Sequence, residues 1–580
     1  MHIRKTLTLL VIVYISTIAQ QAKITVDSIT FFFSEPKIVG QFVNGDYWVL
    51  GPVQIDSIYP PFAVDTSYGY TRYINGWEID PVVNDSTGFD SKVRRFSLKK
   101  VPKLPAYIKG TKSVVKVVSK KECPERGECY PALKKAVVLT VVEEIPPNDG
   151  KSIFRPPYVA GKKPMRDTST IDWDFLPRIV PRNLRGTPNI ETLLKQHKRV
   201  KFDHISGNQM ASRPEDNLPN YLPNITQQAV TALAYLCADI PVSEKRLLTI
   251  YMVQFGLDWY SFLENGYSWP KGGGEMTGSI LPIAFATAIL NNDTMKQTIK
   301  AVERTSDHWP HENHNVYYNK NGVALYGNKE FNEKHLIEDR YWKRTGSKTI
   351  KDPYELIDGG LKPGDYYQHC CTSQPWKGMR MVFKMLGPRM DSIWYNQAWV
   401  DYVERWVREG TLSQPDSCAP YDSNKVYGVD YGPDGKGGCI PDRDSSDGIG
   451  RFPYLHKTGV DEGEYRSEYI DEIWKRYYNS TDIINKSETL KPKPTPAKQG
   501  THFEIGAGGR INYVIQKSEY VSMKIFNLKG QMLTVLFDGK QKPGNFTVSL
   551  HDNKLGSGIF LITLRSGNNL QSEIINHVVK

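Results

Sequence analysis

The densest run of proton-handling side chains is Asp307-His-Trp-Pro-His-Glu-Asn-His-Asn-Val-Tyr-Tyr, where three of the chain's 12 histidines fall at 308, 311 and 314. A histidine takes or gives a proton near neutral pH, an asparagine donates to an anion, and a tyrosine serves as acid or base when its pKa is moved. His311 and His314 are read as bases on that ground, Asn313 as a donor, and Tyr317 and Tyr318 as acids. Trp309 offers a flat face for a sugar ring. Pro310 and the polar density make this a loop. With Glu312, the His-x-x-His-x-x-His spacing has the ligand types for a transition metal, but it is not the helical i, i+4 pair of the zinc proteases. No metal is assigned.

A second cluster, Leu263-Glu-Asn-Gly-Tyr-Ser-Trp-Pro-Lys-Gly-Gly-Gly-Glu-Met-Thr-Gly-Ser, joins two apolar helical patterns. It presents Glu264 and Trp269 for substrate binding, and Asn265 and Glu275 for catalysis. Its three consecutive glycines let a ligand approach the backbone. The interval from Gly273 to Gly278 is that of a phosphate loop, but no lysine follows Gly278 and that motif is set aside.

A third, Asp365-Tyr-Tyr-Gln-His-Cys-Cys-Thr-Ser-Gln-Pro-Trp, leads into a helix, with His369 near free N–H groups that steady an anion. Tyr367 joins the binding set. Ser373 lacks the Gly-x-Ser-x-Gly elbow of serine hydrolases, and Cys370 beside His369 is not the arrangement a Cys–His pair needs. No cofactor is required. Asp442-Arg-Asp-Ser-Ser-Asp-Gly offers oxygen ligands for calcium but lacks the closing acid of an EF-hand.

These clusters sit in a chain whose pattern changes four times. Residues 1–22 carry Arg4 and Lys5, an apolar run from Leu7 to Ile18 and a small-residue end, the plan of a secretory signal peptide. Residues 23–165 are β, with runs such as Ala136-Val-Val-Leu-Thr-Val-Val among Pro and Gly, and an antiparallel sandwich is expected. Residues 166–480 turn helical: Leu248, Met252, Phe255, Trp259 and Phe262 recur at threes and fours, as do Trp376, Met379, Phe383 and Leu386. Thr226 to Ala238, Ser279 to Leu290, Ile393 to Val407 and Ile470 to Tyr478 are further helix candidates. Residues 481–500 alternate Lys and Pro, an extended spacer, and 501–580 return to short strands.

Composition bounds the partners. The 580 residues carry a net charge of +11, which falls to +9 once residues 1–22 are removed, and 11% are aromatic. The excess favours a polyanion modestly. It is diffuse, and no recognition module for nucleic acid is present. No segment after residue 22 has the apolar length of a transmembrane helix. Seven cysteines suit an oxidising compartment. Cys123 and Cys129 are close enough for a turn to join, Cys418 and Cys439 bracket a loop, and Cys237 reads as a core thiol.

The tail carries a specific resemblance. Ile511-Asn-Tyr-Val-Ile, Lys524-Ile-Phe-Asn-Leu-Lys-Gly-Gln, Gly544-Asn-Phe-Thr-Val and Leu555-Gly-Ser-Gly-Ile-Phe resemble the C-terminal sorting domain of type IX secretion cargo over residues 505–580. That implies an immunoglobulin-like β-sandwich, passage through the outer-membrane secretion machinery of a diderm bacterium, and an extracellular or surface-attached product. Asn44-Gly-Asp-Tyr-Trp-Val-Leu-Gly-Pro-Val, Phe154-Arg-Pro-Pro-Tyr, Leu263-Glu-Asn-Gly-Tyr-Ser-Trp-Pro and Cys370-Cys-Thr with Asp401-Tyr-Val-Glu-Arg-Trp are similar to uncharacterised relatives of the α/α-toroid polysaccharide lyases. Where those relatives have a basic Gly-rich stretch, this chain has Glu275 and Ser279, so no catalytic residue is carried over.

The expected fold is a multidomain α and β chain: an N-terminal antiparallel β domain, a central toroid-like helical domain and a C-terminal immunoglobulin-like sandwich. The expected activity is β-elimination on a uronic-acid polysaccharide. A glycoside hydrolase using two of Glu264, Glu275, Glu312 and Asp365, and a non-catalytic glycan binder using Trp269, Trp309 and Tyr318, are the alternatives.

Overall fold

The computed structural model describes residues 20–123, 129–205, 209–269, 273–327, 358, 368–411, 436, 460, 465–477, 502–506, 510–515, 518–527, 532–549, 558–566 and 569–577. Residues 1–19, most of the segment read as a leader, the Cys418 and Cys439 pair, the Asp442–Gly448 run and the Lys/Pro segment 481–500 lie outside these. The chain divides into two compact units, residues 1–489 and 490–580.

The first unit opens with strands β1 (Gln20–Val26), β2 (Ile29–Gln41), β3 (Tyr47–Leu50), β4 (Val53–Tyr59), β5 (Ala63–Asp65), β6 (Arg72–Ile74), β7 (Trp77–Ile79), β8 (Ala106–Ile108), β9 (Lys112–Ser119) and β10 (Leu133–Val142). All but the β5–β6 hairpin join one sheet in the order β7-β9-β10-β3-β2-β4-β8, with β1 also on β2. β1 starts inside the segment read as a leader ending at 22, pairing Gln20 with Ile38 and Gln21 with Lys37. β3 and β10 pair in parallel, a departure from the purely antiparallel expectation.

β2 is long enough to serve both halves of the sheet: Thr30 to Phe33 pair with β4, and Val39 to Gln41 with β3. The sheet curls over one core formed by Ile24, Phe31, Val53, Ile55, Trp77, Val137, Leu139 and Val141. Alternate residues of β10, Ala136 and Val138, belong instead to the core of the helices. Side chains alternate across a strand, so a strand covered on both faces reads as an unbroken apolar run. This is why 136–142 shows no polar alternation.

The helices are α1 (Ile190–His197), α2 (Gln209–Ser212), α3 (Leu222–Leu236), α4 (Val242–Glu264), α5 (Ile280–Ile289), α6 (Asp293–Thr305), α7 (Ser373–Leu386), α8 (Pro388–Ile393), α9 (Gln397–Glu409) and α10 (Glu468–Tyr477). All ten residues of α5 are buried, as suits a helix apolar on every side. It lies close against α4 because Gly256 has no side chain; a Cβ there would stand 2.2 Å from the Pro282 carbonyl oxygen. Gly266, at φ +73°, follows the last turn of α4, the place where glycine commonly ends a helix. α10 docks through Trp474, which donates to the Lys377 carbonyl at 2.9 Å, and Tyr477, which donates to that of Ile179 at 2.7 Å.

Sheet and helices are therefore not separate bodies: one hydrophobic cluster runs from Val115 and Val138 to Trp376 and Trp474. Among the described residues no helix is long and apolar enough to cross a membrane. Cys123 and Cys129 form a disulfide, and Cys237 is a buried free thiol.

The second unit holds strands β15–β21, after two short hairpins, β11 (Ile153–Phe154) with β12 (Arg166–Asp167) and β13 (Val316–Tyr318) with β14 (Ala324–Tyr326), in the first. β15 (His502–Gly506), β16 (Arg510–Ile515) and β19 (Gly544–Ser549) make one antiparallel sheet; β17 (Glu519–Phe526), β18 (Met532–Gln541), β20 (Gly558–Ser566) and β21 (Asn569–His577) make another. Ile511 and Tyr513 from the first and Val521, Met523, Ile525, Ile562 and Leu564 from the second bury into one core.

Candidate functional site

Pro310 opens a single 3-10 turn, His311–Asn313, in which His311 and Glu312 are buried and Asn313 is half-buried. Opposite them, the glycine-rich connection from α4 ends in another short turn, Gly273–Met276. Gly278 then takes φ +75°, and a Cβ on it would lie 2.1 Å from the Thr226 methyl group. Only glycine fits there without strain. The backbone so placed donates from Gly278 N to Glu312 Oε1 at 2.7 Å, and Trp376 Nε1 on α7 donates to the same oxygen at 2.9 Å.

Glu312 is completely buried, and burial lifts its carboxyl from the ordinary 4.5 to about 7. Oε1 is occupied by two donors, so the proton belongs on Oε2. That atom is buried and has no hydrogen-bond partner among the described residues. His311, its neighbour, is 3% exposed and burial drops its pKa to about 3, so the ring is neutral. Asn315 Nδ2 lies 3.0 Å from His311 Nδ1 and also donates to the His311 carbonyl. Accepting at Nδ1 leaves the ring hydrogen on Nε2. This N–H too is buried and unpartnered.

Three more unsatisfied polar groups lie on the glycine-rich connection and on α3, which packs against it. Glu275 binds Arg213 through Oε2 at 2.9 Å while its buried Oε1 has no partner. Burial holds the Glu275 carboxyl above its ordinary value, an effect that Arg213 reduces but does not cancel. Thr277 Oγ1 and both amide atoms of Gln227 are likewise buried and unbonded, although Thr226 beside Gln227 donates to the Thr277 carbonyl at 2.6 Å. Buried polar atoms are normally paired, so a concentration of unpaired ones is what a site for a polar ligand looks like.

The other nominated residues divide sharply. Trp269 and Trp309 are corrected as sugar platforms: both are fully buried, Trp269 Nε1 donating to Asp203 Oδ2 at 2.7 Å and Trp309 Nε1 to Ser279 Oγ at 2.9 Å. Asn313 is corrected as an anion donor, since its Nδ2 is given to Glu303 and its Oδ1 accepts from Trp394 and Asn396. Asn265 caps α4, its Nδ2 on the Ser261 carbonyl at 2.8 Å, and Glu264 beside it is exposed.

Tyr318 is 41% exposed and donates to Asp401 Oδ2 at 2.6 Å; desolvation and that carboxylate push its phenol up to about 12, so it is no base. His314 and Tyr317 flank the turn, half-buried. Ser373 is buried against Tyr402 at 2.6 Å. Cys371 is disulfide-bonded. Tyr367 and Asp365 lie outside the described residues, as do the side chains of His369 and Cys370. No group of three His, Cys, Asp or Glu is placed to hold a metal among the described residues.

The structure adds residues that had no part in the site as read from the sequence. Arg213, Asp203 and Trp376 hold Glu275, Trp269 and Glu312 in place. The first two lie in irregular chain, with no periodicity to mark them. Comparison of the sequence with protein-family models and with curated proteins found no match.

Proposed function

We propose that the chain cleaves an acidic polysaccharide by β-elimination, with the uronate carboxylate taken by His311 and Glu312. The observation that carries this is the pair of unpartnered donors: a neutral imidazole N–H and, below about pH 7, a carboxyl O–H, on adjacent residues beside Trp376. β-Elimination needs the charge of the carboxylate offset while the neighbouring carbon loses its proton. Donors held in a dry site do this without reorganisation. His311 thus moves from the base expected of it to the anion partner; His314 is left as the base that takes the carbon-bound proton, and Tyr317 as the acid that protonates the leaving oxygen.

A glycoside hydrolase is the second reading, favoured by Glu275. Glu312 would be the protonated acid, and Glu275, ion-paired to Arg213 at 2.9 Å, the second carboxyl.

Incubation with polygalacturonate, alginate, hyaluronate and chondroitin sulfate separates the two. A rising ultraviolet absorbance from an unsaturated product, lost in Glu312→Ala, is expected. Reducing ends without that chromophore would select the hydrolase. Neither product on any of these polymers would sink the degradative reading.

The α/α-toroid arrangement belongs to this proposal, supported by the stacking of α3 on α7 and of α4 on α5. So does the immunoglobulin-like class of the second unit, supported by its two sheets sharing one core. Export and surface attachment through that unit follow from its resemblance to sorting domains and from its being a compact body of its own.

A further inference from the structure

A cleft of about 800 Å³ opens in the N-terminal sheet region, far along the chain from His311 and Glu312. Its walls come from the β5–β6 hairpin, the end of β9, the start of β10 and Glu215 of the loop before α3. The volume is in the range of small-molecule and oligosaccharide sites.

Its chemistry is specific. The floor is apolar, with Ile74 and Val118. One wall is the ring of Tyr68, 39% exposed and stacked at 6.4 Å on Tyr70. Tyr70 is fixed in turn: its hydroxyl donates to the carbonyl of disulfide-bonded Cys123, and the Lys92 ammonium sits 4.0 Å from its ring centre. Tyr68 therefore stands as a backed aromatic plate.

The rim is charged but balanced. Lys120, Lys121 and Lys134 face Asp65, Glu122 and Glu215. Lys134 is already neutralised by Glu215 at 3.0 Å and Asp216 at 3.1 Å. Asp65 is stabilised as an anion by Ser67. The Lys121 ammonium and the Asn75 Nδ2 amide have no partner among the described residues; Asn75 Oδ1 is engaged by Ser119 N at 2.9 Å.

We propose that this cleft binds a neutral oligosaccharide, as a subsite apart from the helical site. Sugars place an apolar C–H face on an aromatic ring and direct vicinal hydroxyls at charged and amide side chains. Tyr68 supplies the ring, Lys121 and Asn75 supply donors, and Asp65 supplies an acceptor. Three carboxylates on the rim repel a polyuronate, and the cationic excess needed to overcome them is absent from this rim. The proposal does not rest on the β-elimination reading.

Affinity electrophoresis of the full chain tests it, in gels containing xyloglucan, xylan or glucomannan, with polygalacturonate as the anionic arm. Retardation by a neutral polymer is expected, weakened about tenfold or more in Tyr68→Ala and measurably in Lys121→Ala, with unchanged thermal midpoints. Glu312→Gln should bind as the wild type does, which keeps this site's failure separate from that of the catalytic reading. Lack of retardation by all three neutral polymers, equal retardation of the wild type and both rim variants, or retardation by polygalacturonate alone would each overturn the proposal.

Discussion

Arg155 grips Asp258 with one nitrogen, Nη2, which lies 2.7 and 2.6 Å from the two carboxylate oxygens, and both side chains are fully buried. Its Nε reaches Asp46 Oδ2 at 2.6 Å. Three distant parts of the chain meet there: the β2–β3 connection, the Phe154-Arg-Pro-Pro-Tyr block and the middle of α4. Through this contact the sheet and helices behave as one body.

Asp258→Ala leaves the Arg155 guanidinium buried with half its compensation. A loss of about 3–5 kcal/mol is expected in urea unfolding of the chain. Asp46→Ala, at a partly exposed position, should cost less. Equal and small losses for both would show that Arg155 is solvated rather than locked.

Glu312 makes stability depend on pH in a definite direction. Its folded-state carboxyl titrates at about 7 against 4.5 when free, so the folded chain binds more protons between those values. The stabilisation is complete below pH 4.5 and is lost as pH rises through 7. Relative to Glu312→Gln, the wild type should lose about 3 kcal/mol between pH 4.5 and 8, read from paired unfolding curves. A difference that stays flat over that range would place the carboxyl in contact with water.

Trp269 is a structural residue here. Trp269→Ala should destabilise by about 3–5 kcal/mol. Trp269→Phe removes the donor to Asp203 and should cost about 1–3 kcal/mol. Neither variant should alter glycan affinity in the fraction that remains folded. Loss of affinity in folded Trp269→Phe, measured on the same gels, would restore the residue as a platform.

Cutting the chain after Thr489 divides it between its two compact units. The larger piece should keep its unfolding transition and whatever turnover it has, while surface attachment is lost if the tail is a sorting handle. Unfolding of the larger piece on truncation, seen by circular dichroism, would make the tail a packing partner instead.

Much of the scaffold is readable from the residues alone, because its cause is local. The threes and fours of Leu248 to Phe262 and of Trp376 to Leu386 produce α4 and α7, and Gly266 ends α4 where φ must turn positive. α1 and α6 went unmarked; their apolar stripes are thin, with only Leu193 and His197, or Met295 and Ile299, buried. The His311–Tyr318 run was visible as chemistry by residue type. What each member does was not. Trp309 and Asn313 share the run's polar, aromatic character, yet one ends in the core and the other ties three elements together, because depth and partners depend on residues 30 to 83 positions away. Glu312 looked like one carboxylate among several until Gly278 and Trp376 enclosed it. Residue types and short-range spacing determine which groups are present and which elements carry them. Burial, protonation and the absence of a partner arise only when distant segments close around a group, and only the tertiary structure decides them.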